Sequence, residues 1–326
     1  MNKTVKIALA GAGQWGSNVC RAIAQHPGFH LMSVCDKTEE QLNKIKSSYG
    51  NRVRYSTDFR ELTDDPSIDA IALAVNTKEH FTLAMQALES GKHVFVEKPF
   101  TETVEQAMLL MDKAKEKKLV IHVDHIMIFH PAIRKIRSLI KDGYAGSLRY
   151  FDMRRTSMGG ARADANVFMD LGVHDLAIID YLSDGAVPNT VNVIGKNLNH
   201  SLCSAGFMQL EYQDFIANLS ENWISPVKER KLIVGGTDRI IMYDETSDAG
   251  RLVVYDYDKV GFLDVEKEDA LCNSLSHFAS CIEAGKESIS GPSMALRIAR
   301  TLKEADEQLA RQENKGIGQG SGKAVE

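Results

Sequence analysis

Three short stretches of the chain carry side chains whose types and spacing suit them to chemistry. The first is Gly11-Ala12-Gly13-Gln14-Trp15-Gly16, a GxGxxG run set between an apolar stretch and a helix-like one. In that context Gly11 permits a tight turn, Gly13 lets backbone approach a pyrophosphate, and Gly16 lets a helix pack close to a strand. The exposed amides at the start of the helix, Gln14 and Trp15 among them, favour phosphate charge. Asp36 stands 20 residues beyond Gly16. A carboxylate there accepts hydrogen bonds from adenosine ribose hydroxyls and repels a 2′-phosphate, which favours NAD. Lys37 beside it leaves NADP open, because a cation accommodates the extra phosphate.

The second stretch is Glu97-Lys98-Pro99, closing the β-branched and aromatic run Lys92-His93-Val94-Phe95-Val96. Proline pushes the residue before it out of the helical region, so Lys98 is held at the mouth of a strand. Ligands of open parallel sheets sit at that end. The third stretch is Asp170-Leu171-Gly172-Val173-His174, inside the apolar run Val167 to Leu182. On a helix, Asp170 and His174 share a face, about 40° apart. Burying such a pair without partners costs roughly 2–7 kcal/mol per group. It is therefore either a structural hydrogen-bonded pair or a pair facing a polar cavity, where the imidazole suits general base catalysis. Gly172 costs about 1 kcal/mol against alanine in a helix, and close approach of a cofactor or ligand to the backbone would explain it.

The elements that must position these groups follow from periodicity. Val5 to Ala10, Leu31 to Cys35, Arg52 to Ser56, Asp69 to Asn76, the Lys98 strand and Leu119 to Val123 read as strands. Helical patterns at Ser17 to Gln25, Thr77 to Ser90 and Val104 to Lys117 alternate with them. That alternation predicts an α/β doubly wound parallel sheet, with right-handed crossovers bringing Gly11, Asp36, Asn76 and Lys98 to one edge. From about residue 125 the pattern changes. After the helix Ala132 to Lys141, strands accumulate at 148–156, 190–196, 206–212, 215–224, 231–235, 239–244 and 252–257. These predict an α+β domain with a large, mostly antiparallel open sheet, closed by helices at Ala270 to Ala284 and Met294 to Gln312. The expected domains are 1–124, 125–312 and a disordered tail at 313–326, rich in Gly, Ser and Lys.

Composition sets the outer bounds. The 326 residues are 44% hydrophobic and 25% charged, with a net charge of −5 that leaves no basic footprint for nucleic acid. The five scattered cysteines lack CxxC spacing, which favours reduced thiols in a cytoplasmic protein over disulfides or a metal site. No apolar run approaches the roughly 18 residues of a membrane span.

Taken together, GAGQWG, Asp36, Glu97-Lys98-Pro99 and Asp170-x-x-x-His174 resemble the Gfo/Idh/MocA family over residues 4 to 312. The resemblance implies an NAD(P)-dependent oxidoreductase of sugars, cyclitols or sugar derivatives, assembled as a homo-oligomer, dimer or tetramer, through the free face of its open sheet. It implies Lys98, Asp170 and His174 as the catalytic set. It also implies cofactor roles for Asn76, His80 and Glu97, although many members carry Thr-Pro where this chain has Val75-Asn76-Thr77. A finer likeness, carried by Trp15-Gly16, Arg155 through Arg162, Asn166 and Asn222 through Arg230, is to nucleotide-sugar dehydrogenases such as the UDP-N-acetylglucosamine 3-dehydrogenases. The forks of Arg155, Arg162 and Arg230 match a diphosphate or carboxylate, against the alternative that each is a solvated surface arginine. Rival expectations on the same fold are an NAD-dependent glycosidase, an NADPH-dependent reductase, and a non-catalytic NAD(H)-binding sensor.

Overall fold

Ile7 and Leu9 point to one face of the first strand and Ala8 and Ala10 to the other, and all four are buried. A strand covered on both faces belongs at the centre of a parallel sheet, and that is its place in a computed structural model of the chain. The structure describes residues 4–158, 165–198, 202–247 and 251–319. The chain forms two compact units, Met1–His130 with Glu268–Leu296, and Pro131–Lys267 with Arg297–Glu326.

In the first unit the elements alternate: β1 (Val5–Ala10), α1 (Gln14–Gln25), β2 (Phe29–Cys35), α2 (Glu39–Tyr49), β3 (Arg54–Ser56), α3 (Arg60–Thr63), β4 (Ala70–Leu73), α4 (Thr77–Glu89), β5 (His93–Glu97), α5 (Val104–Lys117) and β6 (Ile121–Asp124). The sheet order is β3-β2-β1-β4-β5-β6, and every pairing is parallel. Strand order reverses between β1 and β4, which opens a crevice at the carboxyl ends of those strands. One core cluster joins Ile7, Leu9, Val19, Ile23 and Phe95 to Leu275 and Phe278. The other joins Ala8, Ala10, Ile71, Val94 and Val96 to Leu88 and Leu110. Leu275 and Phe278 are the reason that residues 268–296 return to this unit.

The second unit holds α6 (Pro131–Lys141), β7 (Leu148–Met158), a π turn (Phe168–Gly172), α7 (Val173–Leu182), β8 (Thr190–Lys196), β9 (Ala205–Glu211), β10 (Ile216–Asn222), β11 (Ile224–Gly236), β12 (Ile240–Asp244), β13 (Arg251–Asp256) and β14 (Lys259–Asp264). The chain ends with α8 (Ala270–Ala284), which belongs to the first unit, and α9 (Pro292–Gln319). The sheet order is β14-β13-β12-β11-β7-β10-β9-β8. Among the described residues of this sheet, only the β7–β10 pairing is parallel. Along β8 to β10 burial alternates strictly, so one face is core and the other presents Ile194, Phe207 and Ile216 to solvent.

Several elements differ from expectation. β14 is an edge strand exposed along nearly its whole length, with Gly261 at its centre, and so it carries no alternation to read. β11 starts earlier than expected, at Ile224, because a bulge between Ile224 and Glu229 lets Pro226 sit in the strand without a ladder bond. α9 continues to Gln319, through a stretch expected to be disordered; residues 320–326 lie outside the described residues.

Candidate active site

The glycine loop is held by its own backbone. Gly11 has φ +94°, and a Cβ there would fall 2.2 Å from the Ala74 carbonyl oxygen. One on Gly16 would fall 2.1 Å from the Gly11 carbonyl oxygen. Both positions are therefore fixed by the fold. Gly13 is different: its Cβ would meet nothing within 4 Å. It caps α1 with no side-chain hydrogen bond to the helix amides, so the donors of the first turn face open space. That is the cradle a pyrophosphate fits.

Asp36 closes the loop from the next strand. Its Oδ2 accepts from the Ala12 amide at 2.7 Å, and Oδ1 accepts from the Thr38 amide and hydroxyl at 2.9 Å each. Lys37 pairs with Glu79. Asn76 caps α4, its Oδ1 accepting from the Lys78 amide at 3.2 Å. His80 is buried, which holds its pKa below the usual imidazole value. A neutral ring donates from one nitrogen only, and Nδ1 stands 2.9 Å from the Pro99 carbonyl oxygen. His80 thus contacts the Lys98–Pro99 corner, whose peptide is cis, through the Pro99 carbonyl.

Glu97 and Lys98 are half-buried at the end of β5. The Trp15 indole Nε1 donates to Glu97 Oε1, tying the glycine loop to that strand end. Two residues beside the Glu97–Lys98 corner are not singled out by the sequence: Asp124, the register partner of Glu97 at the end of β6, and His125 next to it. Burial, with the Lys98 charge beside it, pushes the His125 pKa down to about 3. Burial raises the Asp124 carboxyl to about 6. The signal was available, because parallel strands end at one edge and β6 lies next to β5.

In the second unit, Asp170 lies in the π turn and His174 in the first turn of α7, both half-buried. Their spacing is thus set partly by a wider i→i+5 turn, where an uninterrupted α-helix was expected. Asn166 fixes that turn: its Oδ1 accepts from the Phe168 and Met169 amides at 3.0 Å each, and its Nδ2 donates to Asp306 at 2.6 Å. Gly172 packs on protein; a Cβ there would meet Phe168 at 3.4 Å and Glu221 at 3.8 Å. The protein atoms of Phe168 and Glu221 occupy the place the sequence reading gave to a ligand.

Arg155, expected at an anionic substrate, is only 5% exposed. Its Nε lies 2.9 Å and its second terminal nitrogen 2.8 Å from Asp175 Oδ1, with Glu245 at 3.5 Å. Burial opposes its charge, but Asp175, Glu245 and Glu221 overcome that and raise its pKa. Its fork is engaged inside the unit. Arg230, its register partner on β11, is half-buried and stands 3.7 Å from Glu245. Arg162 lies outside the described residues.

Comparison with known proteins bears on the family and the fold. Residues 5–125 match the model of an oxidoreductase family with an NAD-binding Rossmann fold, and residues 133–242 match the GFO/IDH/MocA C-terminal domain. Among curated relatives, scyllo-inositol 2-dehydrogenase (NAD(+)) of Bacillus subtilis is 25% identical over 89% of each chain. UDP-N-acetylglucosamine 3-dehydrogenase of Acidithiobacillus ferrooxidans is 27% identical, over 86% of this chain and 89% of its own. A solved structure of an enzyme of that name and organism superposes with a TM-score of 0.85 at 24% identity, covering 95% of this chain and 99% of its own, which shows the shared fold. The paired domain models and the glycine cradle lead to one conclusion: this chain belongs to the Gfo/Idh/MocA family of NAD-binding oxidoreductases.

Proposed function

We propose that the protein moves a hydride reversibly between a secondary hydroxyl carbon of a sugar, cyclitol or nucleotide sugar and a nicotinamide dinucleotide, with Lys98, Asp170 and His174 as its catalytic residues. The observation that carries the proposal is the open cradle at Gly13, whose uncapped helix amides share a strand edge with Lys98. NAD is favoured over NADP. Asp36 presents a carboxylate where a 2′-phosphate would sit, and the neighbouring cation, Lys37, is paired with Glu79.

When bound, the nicotinamide supplies the hydride acceptor at its C4. Gly13 and the α1 amides hold the pyrophosphate, and Asp36 holds the adenosine ribose. His174 takes the hydroxyl proton as general base, and Asp170 orients the imidazole and stabilises its protonated form. Lys98 hydrogen-bonds the same substrate oxygen and stabilises its developing negative charge. Arg230 is the described arginine best suited to an anionic substituent of the substrate, since the fork of Arg155 is spent on Asp175.

The curated relatives support a polyhydroxylated substrate, because one is named for an inositol and another for a UDP-sugar. The five cysteines are free, which suits a reducing, cytoplasmic setting. The exposed apolar face of β8 to β10 suits self-association into a dimer or tetramer. The test is a panel of UDP-sugars, cyclitols and aldoses offered with NAD or NADP and followed at the nicotinamide absorbance. Net NADH formation on one of these classes supports the proposal. Glycoside cleavage without net NADH, NADPH consumption on a different acceptor, or tight NAD(H) binding without turnover on any compound contradicts it.

A further inference from the structure

Glu97 and Asp124 are register partners at the ends of two parallel strands, so two carboxyls leave the sheet side by side. Asp124 is 1% exposed. Its Oδ1 accepts from the Ser274 hydroxyl at 2.7 Å. With its one proton so used, Ser274 accepts from His122 Nε2 at 2.9 Å. Burial keeps His122 neutral, so its Nδ1 accepts in turn from the Ser288 hydroxyl at 2.9 Å. A relay of donors therefore ends on one oxygen of Asp124. The other oxygen, Oδ2, is buried, and with both carboxyls ionised no donor among the described residues reaches it. The group facing it is the carboxyl of Glu97, whose Oε1 is already occupied by the Trp15 indole. Two adjacent carboxylates out of water repel strongly, and a single proton between them removes the repulsion and satisfies the stranded oxygen.

We propose that Glu97 and Asp124 share one proton, Glu97 Oε2–H donating to Asp124 Oδ2, and act as a single monoanion that fixes the Trp15 indole and the strand end from which Lys98 projects. These are positioning residues, and their functional use rests on the reading that this crevice holds a nicotinamide cofactor. The charged groups acting on the pair are Lys98 from the end of β5 and Asp269 from the start of α8, with His125 beside Lys98, and His122 and His277 behind Ser274. Burial, and then the charge of Asp124, raise Glu97 well above the usual carboxylate range, and burial brings Asp124 up to about 6. The pair is therefore neutral in acid and becomes a monoanion as pH rises through about 6.

The chain has two tryptophans, so the indole N–H of Trp15 can be followed by NMR on cofactor-free, 15N-tryptophan-labelled protein and assigned with Trp15→Phe. The wild-type resonance should titrate with a midpoint near the value of about 6 given by Asp124. That step should move away from the wild-type midpoint in both Asp124→Asn and Glu97→Gln, because each ends the sharing of the proton, and stay in place in His125→Asn. A flat wild-type titration, a midpoint near that of an ordinary carboxylate, a step unmoved in Asp124→Asn, or a step lost in His125→Asn overturns the proposal. Should Asp124→Asn fail to fold, the wild-type midpoint and Glu97→Gln still decide. Because the NMR readout needs neither cofactor nor turnover, its failure leaves the oxidoreductase reading standing. The expected titration in a protein that turns over no substrate would instead sink that reading.

Discussion

Gly13 and Gly16 sit three residues apart and answer to different constraints, which lets one small substitution separate cofactor binding from folding. The Gly13 backbone, with φ −67°, suits any residue, and its Cβ would enter empty space. Gly13→Ala should change stability by no more than about 0.5 kcal/mol. It should nevertheless weaken NAD binding by at least about tenfold, or about 1.4 kcal/mol, because the methyl occupies the pyrophosphate's place. Gly16→Ala should instead lower the melting temperature, since its methyl would drive into the Gly11 carbonyl oxygen. Thermal melts and NAD titrations on the pair check this; unchanged NAD affinity in Gly13→Ala would empty the cradle of its meaning. His125 gives a pH test at the same scale. Its folded pKa is pushed down to about 3 from the usual 6.5, so between those values the unfolded chain binds the proton and the folded one does not. The wild type therefore loses stability from this residue as pH falls below about 6.5, by up to about 1.4 kcal/mol per pH unit. Denaturant titrations should show His125→Asn gaining on the wild type progressively over that window. A difference independent of pH would refute it.

Among the elements, the π turn at Phe168–Gly172 governs where Asp170 stands relative to His174. Asn166 secures it with two amide bonds from one carbonyl oxygen. Asn166→Ala should cost about 1 kcal/mol of stability and lower kcat more than it raises KM for NAD, since the cap supports the Asp170 side of the chemistry and not the cradle. Steady-state kinetics beside chemical denaturation separates the two effects. The parallel sheet was legible in the sequence because buried strands and amphipathic helices alternate in it with clear punctuation, and the Gly11, Asp36 and Lys98 positions came with it. The π turn was not legible, because Val167–Leu182 is apolar on most sides and its periodicity is nearly flat. The fate of Arg155 was hidden for a related reason. Burial of a guanidinium depends on Asp175 and Glu245, which approach it from distant parts of the chain. Asp124 and His125 follow from the parallel topology, but the apolar pattern ends at Val123, one residue short of the end of β6.

At the scale of the whole molecule, the eight-stranded sheet leaves one apolar face exposed, where Ile194 and Phe207 are cross-strand partners at 69% and 56% exposure. Phe207→Glu should shift the protein to a smaller assembly in light scattering while leaving its melting temperature within a few degrees, because the side chain contributes little to the monomer's core. An unchanged mass would contradict the proposed association through this face. The proposed mechanism has Lys98 and His174 act on one substrate hydroxyl. The direct measurement is a double-mutant cycle on turnover with the best substrate from the panel, comparing Lys98→Met, His174→Ala and the pair, with NAD affinity measured alongside. Each single variant should lose about 10²-fold or more in kcat with NAD binding retained, and the double variant should lose far less than the product of the two. Wild-type turnover in His174→Ala, or strictly multiplicative losses, would contradict the account.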